Sequence, residues 1–377
     1  MNGEILKVEI DNDHLGQIIS GQNQYQKNVD LRLTKARKCI FSLLGPCFSF
    51  KNQMSPAVKL HIFRTFTCPV LRSGLATFAL RKYQIESISL FQRKVLKSIC
   101  KLSDTAPTPG VHFITGEPPI EAEMHYDAFI LFFCVWSNPN SKIYNIVKYL
   151  TVNSYPNSHT WTAHIKYLSE MYSMEDPMIC LTRDPPSKSE YKSYVRTKIY
   201  SYHERELRQK SLNNSCMKYF NVGALGRTGR IHPSISNIQN TSDVQKMRIH
   251  TKMLVGNYYT YVMKARQSGG SSRCRQCDNG EEDDICHILL SHMSPPRTRI
   301  LEQISQLCDL SYSELNFNEL KKCKETLVQF ILDPTSLNLK NRISMSDPIL
   351  PELFKYCHTF CFLTDQERNR DLMEMSK

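Results

Sequence analysis

Cys274-Arg-Gln-Cys277 is followed after nine residues by His287 and after four more by His292. Two thiolates in a Cys-x-x-Cys turn and two imidazoles on a following short helix are the donor set of a tetrahedral zinc site, and the spacings lie in the usual range for one ion. Asp278-Asn279-Gly280 supplies a turn after the thiol pair, and Glu281 to Asp284 place carboxylates at the N-terminus of the helix that must carry the histidines, where the helix dipole favours them. Ile288, Leu289 and Leu290 between the histidines can pack that helix beneath the metal. Cys286 is the alternative ligand, because a short segment can rotate by one residue; the reading adopted is Cys274, Cys277, His287 and His292. The competing account is a surface loop with unpaired cysteines. Zinc here would be structural, contributing on the order of 10 kcal/mol, so that the local fold is lost without it.

The second chemistry-bearing feature is charge. The 377-residue chain has a formal net charge of +12, and residues 27–102 hold fifteen Lys or Arg against only Asp30 and Glu86. So local a positive field suits a polyanion, of which nucleic acid is the commonest, and the alternative is a solvated basic face without a partner. Three helices are expected to carry it. The first starts at an Asp30 cap and buries Leu33, Ala36, Ile40 and Leu44, with Lys35 and Lys38 away from that face. The second opens at Ser55-Pro56, uses Val58, Ile62, Phe63 and Phe66 as its stripe, and ends or kinks at Pro69. The third runs from about Ile85 to Leu102 over Ile88, Phe91, Val95 and Ile99, and aligns Arg93, Lys97 and Lys101 as a ladder able to follow phosphates.

The remaining chain reads as supporting structure. Composition is 41% hydrophobic and 22% charged, which is globular, and no apolar run approaches the roughly 20 residues that span a bilayer. A soluble, intracellular protein is expected, with no membrane partner. Its fourteen cysteines show no framework and are expected to be reduced. At the N-terminus, Ile5 to Ile10 and Leu15 to Ile19 read as two strands joined at Asp11-Asn12-Asp13. Beyond Pro107 and Pro109, helices are expected over Glu121 to Trp136, Ile143 to Leu150 and Trp161 to Tyr172. A linker is expected over Thr182 to Ser189, and a helix over Glu190 to Lys210 with Tyr191, Val195, Ile199 and Tyr202 on one face. Gly223-Ala-Leu-Gly226-Arg-Thr-Gly229-Arg230 has the look of a dinucleotide loop but follows no strand, and is read as a loop with two arginines. Ser242 and Asp243 cap a long helix with Val244, Met247, Thr251, Leu254, Tyr258 and Val262 on one face, and further helices follow near Arg299 to Cys308, Ser313 to Leu332 and Pro351 to Cys361. His112, His125, His164 and His203 have no partner at a telling spacing and are read as core or surface residues. The tyrosines of Tyr258 to Tyr261 can stack on bases but are read as packing residues.

In order, these parts resemble the C-terminal portion of the polyprotein of non-LTR (LINE-type) retrotransposons. His14-Leu15-Gly16 looks like the end of the reverse-transcriptase palm. Leu33 to Leu44, Ser55 to Phe66, Pro69 to Gly74 and Phe91 to Lys97 are similar to the thumb, Glu117-Pro-Pro-Ile120 to the connector, and Cys274 to His292 to the terminal zinc knuckle. In that family the last ligand is usually cysteine, whereas here it is His292, which can equally close the site. The resemblance implies a mainly α protein with an N-terminal β-hairpin, a basic three-helix thumb-like bundle, a helical connector and a small zinc knuckle. It divides the chain into a residual palm hairpin (1–26), thumb (27–105), connector (106–185), second helical region (186–268), knuckle (269–298) and C-terminal helices (299–377). Lys35, Lys38, Arg93, Lys97 and Lys101 would contact phosphate, with Arg273 and Arg275 reaching nucleic acid from the knuckle.

Reverse transcription needs carboxylates that converge on Mg²⁺, supplied in the family by a Tyr-x-Asp-Asp turn and an earlier Asp. No such turn stands in this sequence, so no Mg²⁺ site and no polymerase activity of this chain alone are expected. The expectation is a truncated fragment that binds RNA or DNA, and the alternatives are a zinc-stabilised structural relic or a part that completes a palm-containing reverse transcriptase in trans. Nuclear location is implied by the resemblance only.

Overall fold

The computed structural model describes residues 11–48, 54–153, 159–220, 230–236, 238, 240–277, 280–311, 317–336 and 348–375. The chain is mainly helical, with one two-stranded hairpin near its N-terminus. Strands β1 (Asp11–His14) and β2 (Gln17–Ser20) precede helices α1 (Gln24–Phe48), α2 (Pro56–Ile62), α3 (Cys68–Arg72), α4 (Lys82–Ile99), α5 (Thr108–Thr115), α6 (Ile120–Trp136), α7 (Lys142–Asn153), α8 (Trp161–Met171), α9 (Pro177–Cys180) and α10 (Lys188–Leu212). They are followed by α11 (Pro233–Ser236), α12 (Thr241–Leu254), α13 (Tyr261–Ser268), α14 (Ile285–Leu290), α15 (Pro295–Ser311), α16 (Phe317–Lys322), α17 (Lys324–Leu332) and α18 (Leu350–Met375). Among the described residues no helix is long and apolar enough to cross a membrane, and no disulfide joins the described cysteines.

Two compact units interleave along the sequence: Met1–Pro46, His61–Arg93 and Pro118–Arg205 form one, and Cys47–Leu60, Lys94–Glu117 and Glu206–Lys377 the other. In the first, Val29, Leu33, Ala36, Leu71, Phe78, Ile88 and Ile120 share one apolar core. A neighbouring core joins Phe129, Phe133, Trp136, Ile165, Leu168, Tyr191, Val195 and Ile199. The segment expected to be a linker is held against this core, because Trp136 Nε1 donates to the Arg183 carbonyl at 2.9 Å and the Tyr144 hydroxyl to that of Leu181 at 2.6 Å. In the second unit α12 and α15 both pack along α18, whose Leu353, Phe354, Cys357 and Phe360 are fully buried.

Several local expectations are corrected. The hairpin turns at Leu15-Gly16, not at Asp11-Asn12-Asp13: His14 pairs with Gln17, and Asp11 to Asp13 lie in a strand. A two-residue hairpin loop needs positive φ at both positions, here +50° and +76°; the strand expected over Ile5 to Ile10 lies outside the described residues. Helix α1 begins six residues before Asp30, which is an interior residue accepting from Gln26 Nε2 at 3.0 Å. Asn28 on α1 pairs with both the amide and the carbonyl of Ile18, at 2.9 and 2.7 Å, and so seats the hairpin. After α2 the chain makes a π-helical turn over Phe63–Thr67 and continues through Pro69 to Arg72. The wider turn rotates the buried face. Leu60, Phe63, Thr67 and Leu71 are buried, while Val58 and Phe66 of the expected stripe are exposed. The single helix expected from Asp243 to Val262 is two helices broken at Gly256, whose φ is +67° and whose Cβ position would lie 1.9 Å from the Cys216 carbonyl oxygen. Only glycine fits there. The Gly223–Gly229 loop and residues 313–316 lie outside the described residues.

Candidate metal centre and basic surface

The segment read as a knuckle is assembled from a pinched loop and a one-and-a-half-turn helix. Its two arms pair at Arg273 and Glu282: the Cys274 amide donates to the Glu281 carbonyl at 2.8 Å and the Asp283 amide to that of Ser272 at 2.9 Å. Gly280 takes φ +66° at the far end of the loop. Within the thiol turn the Gln276 amide donates to Cys274 Sγ at 3.4 Å. Asp284 caps α14 by accepting from the His287 amide at 2.7 Å. The helix is thereby aimed so that His287 faces the thiols.

The four donor atoms of Cys274, Cys277, His287 and His292 all lie within 4.8 Å of one another. Cys277 Sγ is 3.2 Å from His287 Nε2 and 2.9 Å from His292 Nε2. A tetrahedral ion with Zn–S and Zn–N bonds of ordinary length has donor–donor edges of about 3.3–3.8 Å, so this cluster can close on a metal with small movements. The imidazole chemistry fits too. His287 Nδ1 lies 2.9 Å from Glu281 Oε2 and 3.0 Å from Ser291 Oγ, which holds its proton there and leaves the Nε2 lone pair for a metal. His292 has φ +55°, a conformation costing about 1–3 kcal/mol that a bound ion would hold in place. Cys286 is not in the cluster; its thiol is pushed up to about 11 by burial and by Asp284 and Glu325.

Residues that no local pattern marks dock the knuckle. Arg297, 2% exposed, donates to the carbonyls of Leu289, Ile288 and His292, which satisfies the open C-terminus of α14. Arg368 on α18 pairs with Asp283 at 2.7 Å with both side chains buried, and donates to the Tyr259 carbonyl at 2.6 Å. Gln276 reaches Asp371 at 3.0 Å and Ser294 reaches Glu367 at 2.5 Å. Breaking a buried pair from one side leaves a charge without compensation, so Arg368→Met is expected to lower unfolding stability by about 3–5 kcal/mol. Arg370→Met, at an exposed ion pair with Asp371, should cost less than about 1 kcal/mol. Denaturant midpoints of the two variants measure the contrast, and equal midpoints would remove Arg368 from this role.

The basic residues fall into different settings. Lys38 is exposed and Lys35 half-buried on α1. The ladder expected on α4 is not a row on a solvated face. Arg93 pairs with Glu86 at 2.5 Å. Lys97 is 9% exposed and donates to the Asp104 carbonyl at 2.6 Å, closing the chain after the helix. Helix α4 ends at Ile99, so Lys101 leaves it in a left-handed conformation at φ +57°. There it meets α12: burial and the Arg248 guanidinium lower the Lys101 pKa, and the same two causes lower that of Lys252, one turn further along, although Asp365 opposes the second shift. Arg248 Nε is buried without a hydrogen-bond partner. Arg248 therefore acts on two half-buried lysines that stand about 150 residues apart in sequence. In the knuckle Arg273 and Arg275 are exposed, and the Arg275 guanidinium lies 5.0 Å from the centre of the Tyr261 ring.

His125, His164 and His203 of the first unit are not isolated. His125 Nδ1 and His203 Nε2 both bond the Tyr172 hydroxyl, at 2.7 and 2.8 Å, and the His164 ring centre is 5.9 Å from that of His125. Tyr258 donates to Asp365 at 2.8 Å, which makes it a packing residue as expected.

No protein-family model, curated protein or solved structure matches this chain.

Proposed function

We propose that this chain is a nucleic-acid-binding protein akin to the C-terminal part of a LINE-type reverse transcriptase, with zinc as the structural ion of its knuckle and no polymerase activity of its own. The observation that carries the reading is that Arg248 acts electrostatically on both Lys101 and Lys252. Burial and the Arg248 guanidinium lower the proton affinity of both half-buried lysines. A phosphate diester entering among them removes the repulsion and releases condensed counterions. Arg273 and Arg275 present two further exposed cations in the same unit, and Lys35 and Lys38 extend the positive surface of the other. The carboxylates that might be sought for Mg²⁺ have other partners: Asp11 pairs with Lys27 at 2.6 Å, Asp283 with Arg368, and Asp284 caps α14.

Binding of a fluorescent RNA/DNA primer-template should weaken steeply with salt. Lys101→Ala with Lys252→Ala should flatten the log–log slope by about 0.9 per lost phosphate contact and weaken RNA and DNA duplexes alike. An affinity that ignores both salt and these substitutions would leave a metal-stabilised helical protein in which the positive charge only solvates the surface.

A further inference from the structure

The first unit contains a cleft of about 380 Å³ walled by Phe129, Phe132, Trp136, Tyr191 and Tyr194. Trp136 and Tyr191 stand nearly perpendicular, at 77° with ring centres 5.8 Å apart, so they form two sides of a box. Tyr194, 42% exposed, stands at the mouth. The same cleft is lined by three carboxylates, Glu175, Asp184 and Glu190, against one cation, Arg183. In a chain of net charge +12 this is a local reversal of sign.

We infer that this cleft binds a small organic cation with an alkylated ammonium head. Such a head carries a diffuse charge that sheds water easily, packs against aromatic faces and is attracted by their quadrupoles. The cavity is of ligand size, with apolar walls and a few charged groups at its rim. Cations already occupy the rim: Arg183 pairs with Glu175 at 2.7 Å, and Lys198 Nζ lies 5.8 Å from the centre of the Tyr194 ring. The negative field reaches inward, since the Cys180 thiol is pushed up to about 12 by burial and then by Glu175. Glu175 is paired with Arg183 and Glu190 accepts from the Ser187 amide and hydroxyl, so Asp184 is the rim carboxylate that a cationic head would neutralise.

The chain has two tryptophans, Trp136 and Trp161, so Trp161→Phe leaves the fluorescence of Trp136 as a reporter in the cleft wall. Choline is expected to change that fluorescence saturably, and its uncharged isostere 3,3-dimethyl-1-butanol to bind at least about tenfold more weakly. Tyr194→Ala should weaken choline by about tenfold, and Asp184→Asn should weaken it while reducing its salt dependence. Both positions are at the rim, and unchanged melting temperatures would show that the fold is retained. Equal binding of choline and the alcohol, no response, or choline binding unchanged in both variants would overturn the assignment. A trimethyllysine peptide that binds more tightly than choline would overturn the choice of a free small molecule.

Discussion

Substituting Cys277 by serine is expected to abolish tight zinc binding and to unfold the knuckle, with a loss on the order of 10 kcal/mol of metal-binding free energy. Cys277 Sγ lies next to both histidine Nε2 atoms; without it one thiolate and two imidazoles leave the fourth position to water, a set too weak to hold the local fold. Replacing zinc by Co²⁺ makes the result visible, because a tetrahedral site with two thiolates has a characteristic visible absorption. The native protein should take up one equivalent, Cys277→Ser should lose the band, and Cys286→Ser should retain it, since Cys286 is outside the cluster. Glu281→Gln removes the carboxylate on His287 Nδ1 and should weaken metal binding by about 10–100-fold without abolishing it. A band lost in Cys286→Ser and kept in Cys277→Ser would refute the ligand assignment. Loss of the metal should also expose Leu289, which is fully buried under the site.

Mild acid is the second expected threat to the fold. His250 and His164 are pushed down to about 4 by burial, and His125 and His358 are pushed well below the ordinary value, by burial first and then by neighbouring histidines. Unfolded histidine titrates near 6.5. Between about pH 6.5 and 4 the unfolded chain therefore binds protons that the folded chain refuses, so stability is full above pH 6.5 and falls as pH drops through this window. Each such histidine adds up to about 1.4 kcal/mol per pH unit to the slope. His250 and His358 are suited to isolate the effect, with ring centres 4.6 Å apart and with Nδ1 and Nε2, respectively, buried without a partner. His250→Gln keeps a donor for the Ile331 carbonyl, which His250 Nε2 meets at 3.2 Å, and with His358→Asn it removes two titrating groups while leaving the metal ligands in place. Denaturant midpoints from pH 7.5 to 5 should fall steeply in the native protein and less steeply in the double variant. Parallel lines would refute burial of the neutral rings as the cause.

Where an element's partners lie within a few residues, the pattern in the chain was sufficient. Helix α6 was legible because apolar residues surround it on most sides, and α10 because Tyr191, Val195 and Ile199 recur at helical spacing. The Cys/His quartet was legible for the same reason, since all four donors sit within nineteen residues, but only His287 is on the helix expected to carry both histidines: the helix ends at Leu290 and His292 turns back beyond it at φ +55°. Failures came where backbone geometry bends a local rule. The π-turn after Ile62 moved the buried face off Phe66, and the close approach of Cys216 to Gly256 split an expected helix.

What tertiary structure alone decided is the electrostatics. Lys97 and Lys101 belong to one charge pattern in the sequence, yet the end of α4 at Ile99 turns one onto the Asp104 carbonyl and delivers the other to Arg248. Arg297 and Arg368, which no local pattern singles out, are the buried groups that tie the Cys/His segment to its neighbours, Arg368 from α18. The histidines around Tyr172 are spaced too widely for any helical period to join them. A side chain's charge has an effect set by burial and by neighbours distant in sequence. Neither quantity is carried by local spacing, which is why composition and periodicity determined the helices and the Cys/His cluster, and only the packed structure determined which charges are buried and which lie at the surface.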